Sequence, residues 1–441
     1  MRRSILWRIL GAQGLSSFGT SMSTVALAFM VYRLTGSVLH MGGVMAVTTF
    51  PLVVTSWIGG AFLDRFSAKK MMVLADVARA ALIFALPFLA ERSVSLIYVV
   101  SCFMGVASAF FNPGQIKLVG ELADRESLVK ANSYVSVSQT SAELVGYLMG
   151  GVVVTAAGYL PAFMVDAGSY LASALLLLGL PRIAARAEVP QKVAALIAES
   201  PAVFIRLWRH PGLRTNLLLA VFPGVAFMMG SPNAYGLALE VFDAGAAGVA
   251  ALEVSIACGL IIGGIIISRM ALRGDKNGYM FWSFVVMAAA YVGIFFSPYF
   301  WLVVALLGIG GIANVGMFVP SITMFQEIKA EGDRGRLIAV RAGFGQMGAT
   351  GGLLLGGVVG EALGEVEAFL VAGVAAIAVS LLIYVPHVIG AGRRSRAAFN
   401  AAVEGGSTRA SARRAAKEAA LAGPHGAWAL AAEAAAVEQD P

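Results

Sequence analysis

Apolar runs of roughly 20 residues, separated by short charged or Gly/Pro-marked breaks, recur twelve times along the chain, and they leave little freedom in what it can become. A segment that apolar lies in hydrocarbon only if its backbone hydrogen-bonds to itself, so each run is read as a transmembrane α-helix. The alternation of about ten residues that builds a membrane β-barrel is absent. Composition agrees, with 59% hydrophobic residues, 13% charged residues and a mean hydropathy of +0.80.

The runs fall at about 9–32, 38–63, 71–90, 94–118, 131–158 and 161–182, then 213–238, 246–272, 279–297, 300–325, 337–362 and 366–388. Residues 183–212, rich in Arg, Lys and Pro, are the one long polar break among them. The expected organisation is a six-helix bundle over 1–182, a linker over 183–212, a second bundle over 213–388, and a tail over 389–441 whose Ala/Arg/Gly-rich composition points to disorder. The opening MRRSILWRIL reads as the start of the first helix and not as a removed signal, because no small-residue cleavage site follows. Lys and Arg set the orientation: all but three of 32 lie at the N-terminus, in alternate loops or in the tail, the exceptions being Arg33, Arg79 and Arg92. Positive loops stay inside, so both termini are expected in the cytoplasm of a cell bounded by an inner or plasma membrane. The opposite loops carry Glu240, Asp243, Glu361, Glu365 and Glu367.

The halves repeat. Gly59, Gly60, Arg65 and Lys69 align with Gly263, Gly264, Arg269 and Arg273, and Gly146, Gly150 and Gly151 align with Gly352, Gly356 and Gly357. Paired six-helix halves are how secondary transporters build a central site at an interface and rock one half on the other. No GxxxxGK[ST] loop is present to bind nucleotide, so no ATP engine is expected in this chain. Cys102 and Cys258 sit in apolar runs, and the four histidines show no i, i+4 pairing, so no metal, cofactor or disulfide is expected. No nucleophile, base and orienting acid fall together, which argues against an enzyme.

GGAFLDRFSAKK at 59–70 resembles the cytoplasmic motif between the second and third helices of the major facilitator superfamily, through Gly60, Asp64, Arg65, Lys69 and Lys70. VYRLTGS at 31–37, FFNPGQIKLVGELADRESLVKANSY at 110–134, FMVDAGSYLASALLL at 163–177 and GDRGRLIAV at 332–340 are similar to the drug exporters that include macrolide efflux proteins and the enterobactin exporter. The fold implied is that of two pseudo-symmetric bundles of six helices. The resemblance also implies that Asp64 caps the start of the eleventh helix, near Arg341, when the transporter opens outward. One departure stands out: Gly146-Tyr147 occupies the place where drug antiporters carry Gly-Pro.

Ionisable residues within spans are costly and are candidates for function. Glu143, at the middle of the fifth helix in a family position facing the cavity, is expected to handle protons or a cationic substrate; Glu253 joins it. Asp166 is a further candidate, for which helix capping or a structural pair is the expected role and the cavity the alternative. Gln13, Asn112, Asn314 and Gln346 either line the cavity or join helices. Asp76 and Arg79, three apart on one face, are expected to pair internally. Gly146, Gly150, Gly151, Gly352, Gly356 and Gly357 are expected to let helices approach closely. The function expected is export of an amphiphilic small molecule of drug, macrolide or siderophore type, in exchange for protons, by a monomer in contact with membrane lipid and without nucleic acid. An uptake carrier, a lysolipid flippase and a non-transporting receptor or scaffold remain the alternatives.

Overall fold

The computed structural model describes residues 3–63, 67–122, 128–180, 204–205, 207–270, 275–327 and 334–404. Twelve long helices account for most of them, with no strand among the described residues. The first six are α1 (Arg3–Thr35), α2 (Val38–Leu63), α3 (Ala68–Ala90), α4 (Val94–Leu122), α5 (Leu128–Ala157) and α6 (Tyr159–Leu178). The second six are α7 (Pro211–Gly236), α8 (Gly245–Arg269), α9 (Lys276–Phe295), α10 (Phe300–Gln326), α11 (Arg334–Leu363) and α12 (Glu365–Glu404). A π-helical turn, Leu237–Val241, extends α7.

Eleven of the twelve hold an apolar stretch long enough to cross a membrane. The other, α11, is 30 residues long, but three arginines and nine glycines dilute it. It nevertheless occupies the place that α5 holds in the first half. α5 packs on α1 and α8, and α11 packs on α7 and α2. Turns follow the repeat too, since Gly158 (φ +76°) joins α5 to α6 and Gly364 (φ +107°) joins α11 to α12. Both are in the left-handed region that L side chains resist, so glycine is what lets the chain reverse there.

One end of the molecule carries the connections α1–α2, α5–α6, α7–α8 and α11–α12 with their acidic residues; we term it the acid-loop end and its opposite the basic-loop end. A single apolar core spans both bundles toward the acid-loop end, joining Met22, Val25 and Val44 to Met229, Tyr235 and Val249. At the basic-loop end that core divides. Ile9, Met72, Phe111 and Leu118 form one centre within the first bundle, and Leu207, Leu217, Phe325 and Val340 form another within the second. The bundles are thus fused at one end and separately packed at the other.

The final helix corrects one expectation. α12 runs 40 residues to Glu404, past the end expected near 388, so residues 389–404 are helical and not disordered. At 1.5 Å per residue it is about 60 Å long, twice a hydrocarbon layer of about 30 Å, and its second half projects beyond the membrane. Ala and Arg are strong helix formers, and extending an existing helix avoids the cost of nucleation. The rest of the tail, from 405, lies outside the described residues, as does most of the linker.

Candidate functional site

Glycines set how closely the bundles meet. A Cβ on Gly150 would come within 3.0 Å of the Met22 carbonyl of α1, and one on Gly356 within 2.5 Å of the Met229 carbonyl of α7. These close each bundle on itself. The adjacent glycines face across the interface: a Cβ on Gly151 would meet Ala250 of α8 at 2.6 Å, and one on Gly357 the Leu39 Cα of α2 at 3.0 Å. Gly146 against Phe18 and Gly352 against Val225 complete the repeat. Each half therefore uses the same glycines for the same two contacts, and small residues are what permit close packing in lipid.

Hydrogen bonds then tie the bundles together. Near the acid-loop end Tyr32 Oη donates to Glu240 (2.5 Å) and Ser37 Oγ to Glu361 (2.8 Å). Midway along, the Thr49 and Thr350 hydroxyls are 3.0 Å apart. Among the described residues, every hydrogen bond between the bundles lies between the acid-loop end and this level. Glu240 and Glu361, informative in the sequence only as markers of orientation, are acceptors of a latch.

The central feature is Glu253 of α8. Its carboxylate accepts from Tyr235 of α7, and Tyr147 of α5 lies beside it, so one acid stands next to tyrosines of both bundles. Glu143 lies one turn from Tyr147 on α5, toward the basic-loop end. It is half-buried and makes no hydrogen bond or ion pair among the described residues. From there to the basic-loop end α5 exposes Asn132, Ser133, Ser136 and Ser141, a polar face that lipid would not stabilise and water would. Glu143 thus stands on the side of that contact that leads to the end where the bundles are separately packed.

The other sequence candidates divide. Asn314 and Gln346 are half-buried and Asn112 is exposed, each without a hydrogen bond among the described residues. Gln13 is buried and donates to Gln115 of α4 (2.7 Å), joining helices of one bundle. Asp166 is fully buried two turns into α6, where Ser23 (2.5 Å) and Ser169 (3.3 Å) donate to it. That position is inside the first bundle, away from the interface, and is no helix cap.

Asp166 belongs to a buried charged cluster. Asp76 and Arg79 are bonded to each other, Ser173 donates to Asp76 (2.6 Å), and the Arg79 guanidinium lies over the rings of Phe111 (4.0 Å) and Tyr170 (4.5 Å). Breaking a buried pair leaves a charge uncompensated. Arg79→Met is expected to lower stability by about 3–5 kcal/mol, with much of it recovered when Asp76→Asn is added. Thermal unfolding in detergent reads both, and an equal loss in single and double variants would contradict the pairing.

At the basic-loop end Gly60 closes the last turns of α2, while Asp64 and Arg65 lie outside the described residues. Lys69 donates to the carbonyls of Leu178 (2.7 Å) and Leu180, and Arg8 to that of Gly179, so both cations satisfy the C-terminus of α6. Arg341 donates from Nε to Ser321 (2.8 Å), which donates to Asn216 (2.7 Å), whose amide reaches Asn277 (3.2 Å). This chain holds Arg341 to its own bundle. Asn216, Asn277 and Ser321 are all buried, and none was a candidate by sequence.

Two bundles with a shared core at one end, separate cores at the other and a duplicated glycine interface fit one family. The family model described as Major Facilitator Superfamily matches residues 9–273 and 239–432. The chain belongs to the major facilitator superfamily. Members of this superfamily are transporters, and this chain is one of them. It is 26% identical over 390 residues to the multidrug efflux pump Tap of Mycolicibacterium fortuitum, spanning 84% of this chain and 92% of that protein. Macrolide efflux protein A of Streptococcus pyogenes is 21% identical over 385 residues, covering 85% and 94%. The MFS-type transporter YfiS of Bacillus subtilis is 30% identical over 220 residues, which span 49% of this chain and 52% of that relative. In fold the chain is similar to the nucleoside transporter NupG, with a TM-score of 0.65, 14% identity and coverage of 86% and 99%.

Proposed function

We propose that this superfamily member exports an amphiphilic small molecule from the cytoplasm in exchange for protons, with Glu143 and Glu253 as the carboxylates over which the two compete. The positive-inside rule supports a cytoplasmic basic-loop end, and on that reading the separately packed end faces inward. The observation that supports the reading is the Glu253 carboxylate, which accepts from Tyr235 and has Tyr147 of the other bundle beside it, with Glu143 one turn from Tyr147 on α5.

Antiport needs a rule that forbids the empty carrier from crossing. Two carboxylates at low dielectric supply one, because closing apolar walls over uncompensated charge is costly. A proton or a cationic amphiphile neutralises them and lifts that cost. Charge also governs the latch: an ionised carboxylate attracts both tyrosine hydroxyls strongly, and a neutral one binds them less well. Loading the site therefore loosens the contact between Tyr147 and Glu253, and the acid-loop end can part. The efflux relatives support an amphiphilic drug-like substrate.

The gate motif completes the cycle. When the basic-loop ends close, Asp64 meets the start of α11, where the helix dipole and Arg341 favour a carboxylate. Arg341 is held by Ser321 in the present state, ready for that exchange. Asp64→Asn is expected to cut transport while leaving expression intact; full transport by that variant in vesicles would remove the gate role.

The lysophospholipid transporter LplT of Serratia proteamaculans, 26% identical over 268 residues, favours a lysolipid as the second reading. Reconstituted vesicles with an imposed pH gradient, tested with macrolides, siderophores, cationic dyes and lysolipids, separate the two. Gradient-driven movement of cationic or macrolide compounds, stopped by a protonophore, is the expected outcome. Movement of lysolipid alone, or transport indifferent to the gradient, would contradict it.

A further inference from the structure

Asp76 and Asp166 are both fully buried in the first bundle, yet Arg79 is the only cation among the described residues that faces them. Arg79 is bonded to Asp76, which leaves Asp166 with the hydroxyls of Ser23 and Ser169. We propose that Asp166 is a proton-binding site of the first bundle, loaded from the space between the bundles by way of Thr20 and Tyr170. The inference needs neither the substrate nor the coupling proposed above, only that two carboxylates share one cation out of water.

Counting hydrogens locates the proton. Ser23 Oγ stands 2.5 Å from Asp166 Oδ2 and 3.0 Å from the Thr20 carbonyl, two acceptors for its single hydrogen. Ser169 Oγ likewise stands 2.8 Å from the Asp166 carbonyl and 3.3 Å from Asp166 Oδ1. A proton on Oδ2 ends the shortage, because the carboxyl then donates to Ser23 and Ser23 gives its own hydrogen to the Thr20 carbonyl. Water has no room to do this instead, since even a Cβ on Gly19 of α1 would come within 2.6 Å of Asp166 Oδ1. An ionised carboxylate without water or a bonded cation costs more than a neutral one. The other titratable groups do not stand in for the proton. α3 brings Asp76 and Arg79, α6 brings Tyr170 and α1 only hydroxyls, while Glu143 and Tyr147 of α5 face Glu253. Thr20 is the way in. It is exposed, and its hydroxyl lies 2.8 Å from that of the buried Tyr170, one turn from Asp166 on α6. Thr24, one turn along the same face of α1, lines a small cavity with Tyr235 of the second bundle, so this face looks into the interface. Loading forms one O–H bond on Oδ2 and takes its proton from water between the bundles.

Infrared spectroscopy of the full chain in lipid vesicles, without substrate and at equal neutral pH on both sides, tests the site. Asp166 should contribute the carbonyl stretch of a protonated carboxyl. That band should vanish in Asp166→Asn, which should melt close to the unaltered chain because the amide replaces a neutral acid. Ser23→Ala keeps the acid and removes the acceptor of its proton, so the band should move to higher frequency; this variant decides should the Asn chain fail to fold. In heavy water the band should shift as the proton exchanges, and Thr20→Val should slow that shift. A band untouched by Asp166→Asn or by Ser23→Ala would overturn the proposal, as would exchange at unaltered speed in Thr20→Val. Transport indifferent to Glu143 and Glu253 would leave these bands in place, so the two readings fail separately.

Discussion

Replacing Glu143 with Gln is expected to uncouple transport from the pH gradient, lowering gradient-driven accumulation by about 5- to 150-fold, the range of a coupling free energy of about 1–3 kcal/mol. The amide keeps the size of the side chain and removes only its charge and its exchangeable proton. Glu143 makes no hydrogen bond or ion pair among the described residues, so little folding stability depends on it. Expression and melting should be near those of the unaltered chain. Glu253→Gln should behave differently, because that carboxylate accepts from Tyr235 and has Tyr147 of the other bundle beside it. A neutral amide holds the tyrosines less firmly, and substrate should leak down its own gradient without protons. Counterflow in vesicles at equal pH on both sides should persist in both variants while response to an imposed gradient is lost, and net movement of substrate down its own gradient should rise in Glu253→Gln alone. Wild-type gradient dependence in Glu143→Gln would remove this residue from coupling.

The second large effect separates neighbours on one helix. Gly356→Val pushes a side chain into the Met229 carbonyl of its own bundle, and overpacking of that kind costs about 1–3 kcal/mol. Gly357→Val meets Leu39 of the opposite bundle instead. It should leave the C-terminal bundle intact while preventing closure of the acid-loop end. A lowered melting temperature is therefore expected for Gly356→Val, and near-normal melting with lost transport for Gly357→Val. Equal destabilisation by both would show that the two contacts are not separable.

Helix number, the duplication and the paired glycines were legible because each follows from one-dimensional rules: length against hydrocarbon thickness, and small residues recurring at a fixed offset. The Asp76–Arg79 pair was legible for the same reason, since i, i+3 spacing fixes its geometry. Contacts between distant helices were not. Tyr147 stood out only as a departure from a Gly-Pro pattern, and nothing in the sequence says that it reaches across to Glu253. Gln13 read equally as a cavity residue or a link between helices, and Asp166 as a cap, a pair or a cavity residue, because a polar side chain within a span carries no mark of which way it faces. Both are turned into the first bundle. Glu240 and Glu361 were read through their charge alone, whereas their place opposite Tyr32 and Ser37 depends on how the bundles dock. The extension of α12 escaped because composition, which points to disorder, was weighed without the helix already leading into it.

Alternation of the two bundles is the central claim, and a reversible cross-link tests it most directly. Thr49 and Thr350 face each other at 3.0 Å between α2 and α11, so cysteines placed there should join in the present state. With Cys102 and Cys258 replaced by Ala, the Thr49→Cys and Thr350→Cys chain should transport when reduced, stop when oxidised, and resume on reduction. Full transport by the quantitatively cross-linked protein would contradict the account, because the acid-loop end would then never need to open.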